Sequence, residues 1–193
     1  MSELEWVAAG LGLINVFLVV RRSVWNYPFG LVMVALYFFV FFGAKFYSDA
    51  LLQIFFFVVQ LYGWLNWIRA RDQAGEVPVG LMTGRSRVAW LCCTMLLSLA
   101  WGMLMARYTD AVWPKTDAFI AGFSISAQML MARRRFENWI LWILVDAVAI
   151  PVYFSRDLHA TSALYLLFLI LSVVGLIGWR RALPSRPAIA VAA

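Results

Sequence analysis

Long apolar runs restrict the fold of this 193-residue chain more than any other feature of its sequence. In Leu51–Val59, for example, eight of nine residues are apolar, without the alternation typical of barrel strands. Of all residues, 64% are hydrophobic and only 13% are charged. A soluble domain cannot hide that much apolar surface, and neither a disordered chain nor a nucleic-acid-binding protein has this composition. We therefore predict an all-α integral membrane protein.

Clusters of charged and turn-forming residues divide the sequence into seven predicted transmembrane helices. A helix needs about 20 mostly apolar residues to cross a bilayer, and several of these runs are near the lower limit. The predicted spans are Leu4–Val20, Asn26–Phe42, Ala50–Trp67, Val88–Met105, Ala118–Met131, Trp139–Phe154 and Thr161–Trp179. No Lys or Arg precedes the first run, so we expect a retained span rather than a cleaved signal peptide.

The basic residues are distributed unevenly between the two predicted faces. With seven spans, the face of the N-terminus carries only Lys45, Arg107, Lys115 and Arg156, and the opposite face carries the other twelve. Lys and Arg are enriched in cytoplasmic loops of membrane proteins. The sequence therefore predicts an N-terminus outside the cell and a cytoplasmic C-terminus.

The sequence also matches itself when it is shifted by 112 residues without gaps. The matched pairs include Arg21-Arg22 with Arg133-Arg134, Asn26 with Asn138, Gly63 with Gly175 and Trp67 with Trp179. This offset predicts one transmembrane domain (1–193) with a 3+1+3 parallel repeat: three helices in 4–68, a linker helix in 88–106 and three helices in 117–180. SWEET transporters have such repeats, with the substrate site at the repeat interface. The alternative is a duplicated scaffold without a transport site.

Polar and aromatic residues within the spans are the candidates for a substrate site, because polar side chains in a membrane usually face a cavity or the bundle interior. Amides provide hydrogen bonds, and Trp and Phe provide flat faces for a planar cationic ring. The alternative is that they join helices, and we expect Trp67 and Trp179 in an interfacial aromatic belt. The candidate substrate-binding residues are Asn26, Gln53, Phe57, Gln60, Trp64, Gln128, Asn138, Trp142, Asp146 and Tyr165.

Asp146 is the only carboxylate near the centre of a predicted span. A charge at this depth is costly, so we expect it to be protonated or partnered. We favour a hydrogen-bonding partner or a substrate cation over the alternative, a site for a coupling proton. One carboxylate without a titratable neighbour is weak support for a proton relay.

Signatures of catalysis and of cofactor binding are missing from the sequence. Lys45 and Lys115 lie in predicted loops, which excludes a retinal Schiff base, and His159, also in a predicted loop, is the only histidine. A Walker loop and a GxSxG motif are absent. We therefore predict no catalytic residues, no metal site and no cofactor, and a protein that is not an enzyme.

Both copies of the repeat resemble the PnuC-type vitamin transporter family over roughly residues 4–182. The resemblance rests on Asn26–Gly30, Leu51–Phe57 and Tyr62–Trp67, and on Glu137–Asp146 with Tyr165, Gly175 and Trp179. It implies a SWEET-like fold and a homotrimer in the bacterial cytoplasmic (inner) membrane. It also implies facilitated diffusion of nicotinamide riboside, the NAD precursor, which cytoplasmic phosphorylation then traps.

The same resemblance implies that four of the candidates contact the substrate: Gln53, Asn138, Trp142 and Asp146. Related family members carry thiamine, riboflavin or deoxynucleosides, and the motifs do not distinguish these branches. Transport of one of these compounds therefore stays open as an alternative, as does a membrane sensor without transport.

Overall fold

The computed structural model describes residues 3–43, 47–108 and 113–183, which contain seven α-helices and no named strand. The helices are α1 (Glu3–Val20), α2 (Asn26–Gly43), α3 (Tyr47–Ala74), α4 (Gly84–Tyr108), α5 (Pro114–Ala132), α6 (Asn138–Ser155) and α7 (His159–Arg181). The prediction of an all-α fold with seven helices is confirmed. The largest difference is α3, which continues beyond its predicted end at Trp67. Lys45 and Arg186, both used to predict orientation, lie outside the described residues.

Six of the seven helices are long and apolar enough to cross a membrane, and α5 is the exception. This helix begins at Pro114 and has Lys115 and Asp117 in its first turn. It packs against α3, α4 and α6, and nine of its residues are buried. Because protein rather than lipid covers much of its surface, α5 needs fewer apolar side chains than the other helices.

Six helices form a ring in the order α1, α2, α3, α5, α6, α7 and back to α1. Helices α1–α3 make one arc of the ring and α5–α7 make the other, so the arcs meet at α3/α5 and at α7/α1. Among the described helices, α4 packs only on α5, outside the ring. The hydroxyls of Thr94 and Ser126, 2.6 Å apart, join these two helices by a buried hydrogen bond.

Two tryptophans tie the arcs together in the same way at both interfaces. Trp67 Nε1 donates to the Met131 carbonyl, and Trp179 Nε1 donates to the Val19 carbonyl, both at 3.1 Å. Donors and acceptors are each related by the 112-residue offset. Both tryptophans are fully buried (0% exposed), so their expected place in an interfacial aromatic belt is wrong. Each indole N–H instead pairs with a helix carbonyl of the opposite arc.

The arginine-rich face is the end of the bundle that carries the α1–α2 turn, the α5–α6 turn and the end of α7. A buried cluster closes the ring near this face, and we call it the barrier cluster. Its members are Val19, Val24, Tyr27, Trp67, Val77, Val79, Met131, Trp139 and Trp179.

The α3–α4 strap, residues 75–83, crosses the arginine-rich face and contacts both arcs. Arg22 Nη1 donates to the Val77 carbonyl at 3.0 Å on the first arc. Gly80 exchanges backbone hydrogen bonds with Arg134 and Phe136 on the second arc, at 3.0 and 2.9 Å. Val77 and Val79 of the strap are buried in the barrier cluster. The strap thus adds a connection between the arcs that the repeat itself does not contain.

Candidate functional site

A central cavity of about 490 Å³ lies inside the ring, and all six ring helices line it. Val19, Met131 and Trp139 of the barrier cluster form its floor. At the other end, Glu5, Phe41 and Leu158 line the cavity near the start of α1, the end of α2 and the start of α7. Leu158 is exposed, so the cavity reaches the surface at this end, which we call the N-terminal face. Small-molecule sites typically have volumes of about 300–1,000 Å³.

Six of the ten predicted binding residues line this cavity, and they come from four different helices. Two are on α3, one is on α5, two are on α6 and one is on α7. The six are Gln53, Gln60, Gln128, Trp142, Asp146 and Tyr165.

Three buried amide side chains lie on the cavity wall. Two of them donate to backbone carbonyls, and the third has no hydrogen-bond partner among the described residues. Gln60 Nε2 donates to the Gly30 carbonyl at 3.3 Å, and a Cβ at Gly30 would collide with the Gln60 side chain. Asn15 Nδ2 donates to the Asn26 carbonyl at 2.7 Å. Gln128 Nε2 is buried and has no hydrogen-bond partner among the described residues. A free, buried donor of this kind is costly unless a ligand or water pairs with it.

Asp146 is the deeply buried acid of the cavity. Its side chain is on α6, and its Oδ2 accepts a hydrogen bond from Ser172 Oγ on α7 at 3.1 Å. Trp142 precedes it by four residues, so both side chains lie on one face of α6. The ring of Tyr165, whose centroid lies 5.1 Å from that of Tyr153, completes the wall. A carboxylate thus lies beside aromatic surface, an arrangement suited to a flat cation.

Asn26 and Asn138 do not line the cavity, in contrast to their prediction as site residues. Each is the first residue of its helix and is fully buried. Their Nδ2 atoms donate to the carbonyls of Ser23 and Arg135, respectively, both at 2.6 Å. These bonds close equivalent turns at the arginine-rich face, which places both amides beyond the cavity floor.

Phe57 and Trp64 also lie away from the cavity. Phe57 is exposed on the outer surface of α3, and Trp64 packs against the barrier cluster. The cavity face of α3 instead runs through Gln53, Phe56 and Gln60. Positions 53, 57 and 60 are also spaced as one face of a helix, but position 57 lies about 100° around the helix from position 56, which faces the cavity.

Several lining residues were not among the predicted site residues. Asn15 is one of them. It is the only polar residue in the middle of the first span, and this pattern could have identified it as cavity-lining. Phe56 and Phe168 gave no such signal, because an apolar residue facing a cavity resembles one facing lipid. Tyr37 on α2 and Ser124 on α5 also line the cavity.

Comparison with known proteins places this geometry in a family. The sequence profile described as nicotinamide mononucleotide transporter matches residues 2–181. The nicotinamide riboside transporter PnuC of Escherichia coli (strain K12) is 26% identical, over 93% of this chain and 85% of that protein. The riboflavin/roseoflavin transporter RibM of Streptomyces davaonensis is 32% identical, over 92% of this chain and 85% of that protein.

A solved structure gives the same result at the level of the fold. The crystal structure of the vitamin B3 transporter PnuC is similar to this chain with a TM-score of 0.77 and 27% identity. The similarity covers 93% of this chain and 81% of that one. These relatives are named as transporters, which confirms the prediction of a membrane transporter rather than an enzyme. The chain therefore belongs to the nicotinamide mononucleotide transporter family, together with PnuC and RibM.

Proposed function

We propose that this protein carries nicotinamide riboside across the bacterial cytoplasmic membrane by facilitated diffusion. The observation that carries the proposal is the central cavity between the two arcs, which combines amides, aromatic rings and one carboxylate. Its relatives PnuC from E. coli and the PnuC of known structure are named as transporters of nicotinamide riboside and of vitamin B3.

The cavity wall suits each part of this substrate. Trp142 and Tyr165 offer aromatic faces to a flat, positively charged nicotinamide ring. Gln53, Gln60 and Gln128 can donate hydrogen bonds to, or accept them from, the carboxamide and the ribose hydroxyls. The unpartnered Nε2 of Gln128 is a donor that gains a partner when such a ligand binds.

We propose alternating access as the mechanism. The cavity reaches the N-terminal face, and the barrier cluster closes it on the arginine-rich face. With the N-terminus outside, as the distribution of basic residues predicts, this arrangement is outward-facing. The repeats proposed from the sequence, 4–68 and 117–180 with the linker helix in 88–106, would rock about the midplane site. Cytoplasmic phosphorylation of the product would keep the substrate gradient inward.

A homotrimer is proposed with the same function. Helix α4 lies outside the ring and exposes apolar side chains such as Leu96, Leu97 and Met103. Such a surface can face lipid or a neighbouring subunit. Mass photometry of the protein in nanodiscs tests the proposal, with a trimer expected and a monomer contradicting it.

The first test of function is a thermal-shift panel with nicotinamide riboside, thiamine, riboflavin and deoxynucleosides. A ligand that binds only the folded state raises the melting temperature. Nicotinamide riboside is expected to give the largest shift. Riboflavin is the second candidate, because RibM is a riboflavin/roseoflavin transporter with 32% identity, and a larger shift with riboflavin would overturn the proposed substrate.

The second test is counterflow in liposomes. Vesicles loaded with unlabelled nicotinamide riboside are expected to accumulate labelled substrate transiently, because a carrier exchanges the two across the membrane. Binding in the thermal-shift panel without counterflow would instead indicate a membrane sensor.

A further inference from the structure

The charged residues in the described lining of the cavity are of one sign. Glu5 and Asp146 are the charged residues among its described lining, and both are acidic. Glu5 lies at the mouth near the N-terminal face, whereas Asp146 lies in the interior and is 2% exposed. No ion pair joins Asp146 to a basic side chain in the ranges that the structure describes.

The neighbours of Asp146 leave part of its carboxylate available. Ser172 Oγ donates to Oδ2, but a single neutral hydrogen bond does not balance a buried charge. The other titratable groups in the described lining are Glu5 at the mouth and the phenols of Tyr37, Tyr153 and Tyr165, and none of them is a cation. A buried carboxyl group is stable either protonated or beside a positive partner, and the described walls of the cavity supply no such partner.

We infer that Asp146 is a specificity-determining residue that selects substrates with a permanently cationic ring against neutral rings of similar shape. The inference rests on the proposed function and deepens it. A ring stacked on Trp142 lies on the same face of α6 as the carboxylate, one helical turn away. A pyridinium ring then pairs with Asp146, whereas a neutral ring leaves the carboxylate unpaired in a mostly apolar cavity.

The test uses two ligands that differ almost only in charge, nicotinamide riboside and its 1,4-dihydro form, whose ring is neutral. Binding of both is measured by isothermal titration calorimetry with the purified protein and with Asp146→Asn. The wild-type protein is expected to prefer the cationic form. In the variant, the affinity for that form should fall about 30-fold or more, as for other truncated buried charge pairs, and the affinity for the dihydro form should stay nearly unchanged.

Asp117→Asn is the matched control. Asp117 is a carboxylate at the start of α5, outside the cavity lining, where it accepts from Arg156 Nη2 at 2.9 Å. Its substitution should alter neither affinity. Retained binding of the dihydro form by Asp146→Asn shows that this variant is folded.

Three results would overturn the inference or the function. If the wild-type protein binds both forms equally, or if Asp146→Asn loses both equally, Asp146 does not select charge, although transport of nicotinamide riboside stands. If the wild-type protein binds neither form, the proposed substrate is wrong. Binding of thiamine, another fixed cation, with the same loss in Asp146→Asn would then still support selection by charge.

Discussion

Among single residues, Trp142 offers the most direct test of the cavity as the binding site. Trp142→Ala removes an aromatic face from the cavity wall. Stacking of a base on an aromatic side chain is worth about 1–3 kcal/mol, so the affinity for nicotinamide riboside should fall about fivefold to 100-fold in calorimetry. Trp101 is an exposed tryptophan on α4, outside the ring, so Trp101→Ala should leave affinity unchanged. Equal affinities in all three proteins would place the site elsewhere.

Asn138 should behave differently from Trp142, although both were predicted from the sequence as site residues. Its side chain closes the turn before α6 through the 2.6 Å bond to the Arg135 carbonyl. Asn138→Ala should therefore cost about 1–2 kcal/mol of stability, seen as a lower melting temperature, with little change in affinity. Asn26→Ala, at the equivalent turn, should give a similar loss. A weaker affinity without a lower melting temperature would show that Asn138 reaches the substrate.

The turn at Arg134 shows why sequence reasoning misplaced these asparagines. Arg22 and Arg134 both adopt left-handed backbone conformations, with φ of 55° and 56°. A bend of this kind requires hydrogen bonds to close it, and the following asparagine supplies one. An amide near a span is equally consistent with a turn and with a cavity. Gln53 and Gln60 were predicted correctly as cavity-lining because they lie within a helix, away from any turn.

At the scale of elements, the two tryptophan hydrogen bonds between the arcs are expected to oppose opening at the arginine-rich face. Phe keeps a ring but cannot donate, so the double variant Trp67→Phe/Trp179→Phe loses two net hydrogen bonds of about 1 kcal/mol each. The population open on this face should then rise more than tenfold. The measurement is labelling of a cysteine placed in the cavity at Ser124 by an impermeant thiol reagent applied from that side.

Two controls make this labelling experiment specific. Cys92 and Cys93 are exposed on α4 and are first replaced by serine, so that only the introduced cysteine reacts. Trp25 is an exposed tryptophan near the same face, and Trp25→Phe should not change the labelling rate. The single variants Trp67→Phe and Trp179→Phe should give similar intermediate rates, because their bonds are equivalent; unchanged labelling in the double variant would contradict this role.

The α3–α4 strap gives the second prediction at this scale. Glu137 Oε1 accepts from the Met82 backbone N–H at 2.9 Å and from Arg87 Nε at 2.7 Å. Glu137→Ala should leave the strap less firmly held, with amide hydrogen exchange in residues 77–82 about tenfold faster for a loss of about 1–2 kcal/mol. Asp72→Ala breaks an exposed ion pair and should not change this exchange. Unaltered exchange in Glu137→Ala would show that the other bonds of the strap, at Gly80 and Val77, hold it without Glu137.

Helix positions could be predicted from the sequence because charged clusters end the apolar runs abruptly. Six of the seven helices, all except α3, begin and end within about four residues of the expected spans. The strap could not be predicted, since Val77 and Val79 lie in a stretch that reads as polar. Their burial depends on a cluster built by both arcs, which is information that no local window of the sequence contains.

For the whole molecule, the 112-residue offset in the sequence corresponds to equivalent contacts in three dimensions. Tyr27 meets Trp67 edge to face, and Trp139 meets Trp179 in the same way, with interplanar angles of 86° and 88°. These ring pairs lie within the arcs, whereas the hydrogen bonds of Trp67 and Trp179 join the arcs at both junctions. Both junctions would have to open together if the arcs rock. The strap and α4 have no counterpart in the 112-residue repeat, so the outward-facing and inward-facing states differ in stability.

Transport without ion coupling is the prediction that concerns the whole molecule. Asp146 is the deep carboxylate of the cavity, and a carboxylate that pairs with the substrate cation has no need of a coupled proton. In liposomes whose potential is held at zero by valinomycin and equal potassium, a gradient of about one pH unit represents about 1.4 kcal/mol per proton. Coupling of one proton per substrate would therefore concentrate nicotinamide riboside about tenfold.

We expect instead that the internal and external concentrations become equal, and that reversing the pH gradient changes neither the initial rate nor the final ratio appreciably. Accumulation that follows the pH gradient would contradict facilitated diffusion. Asp146→Asn then distinguishes two mechanisms: a variant that still equilibrates nicotinamide riboside but no longer concentrates it assigns the coupling proton to Asp146, and accumulation that persists requires a proton path through other groups. Equal concentrations at every gradient leave cytoplasmic phosphorylation as the step that makes uptake directional.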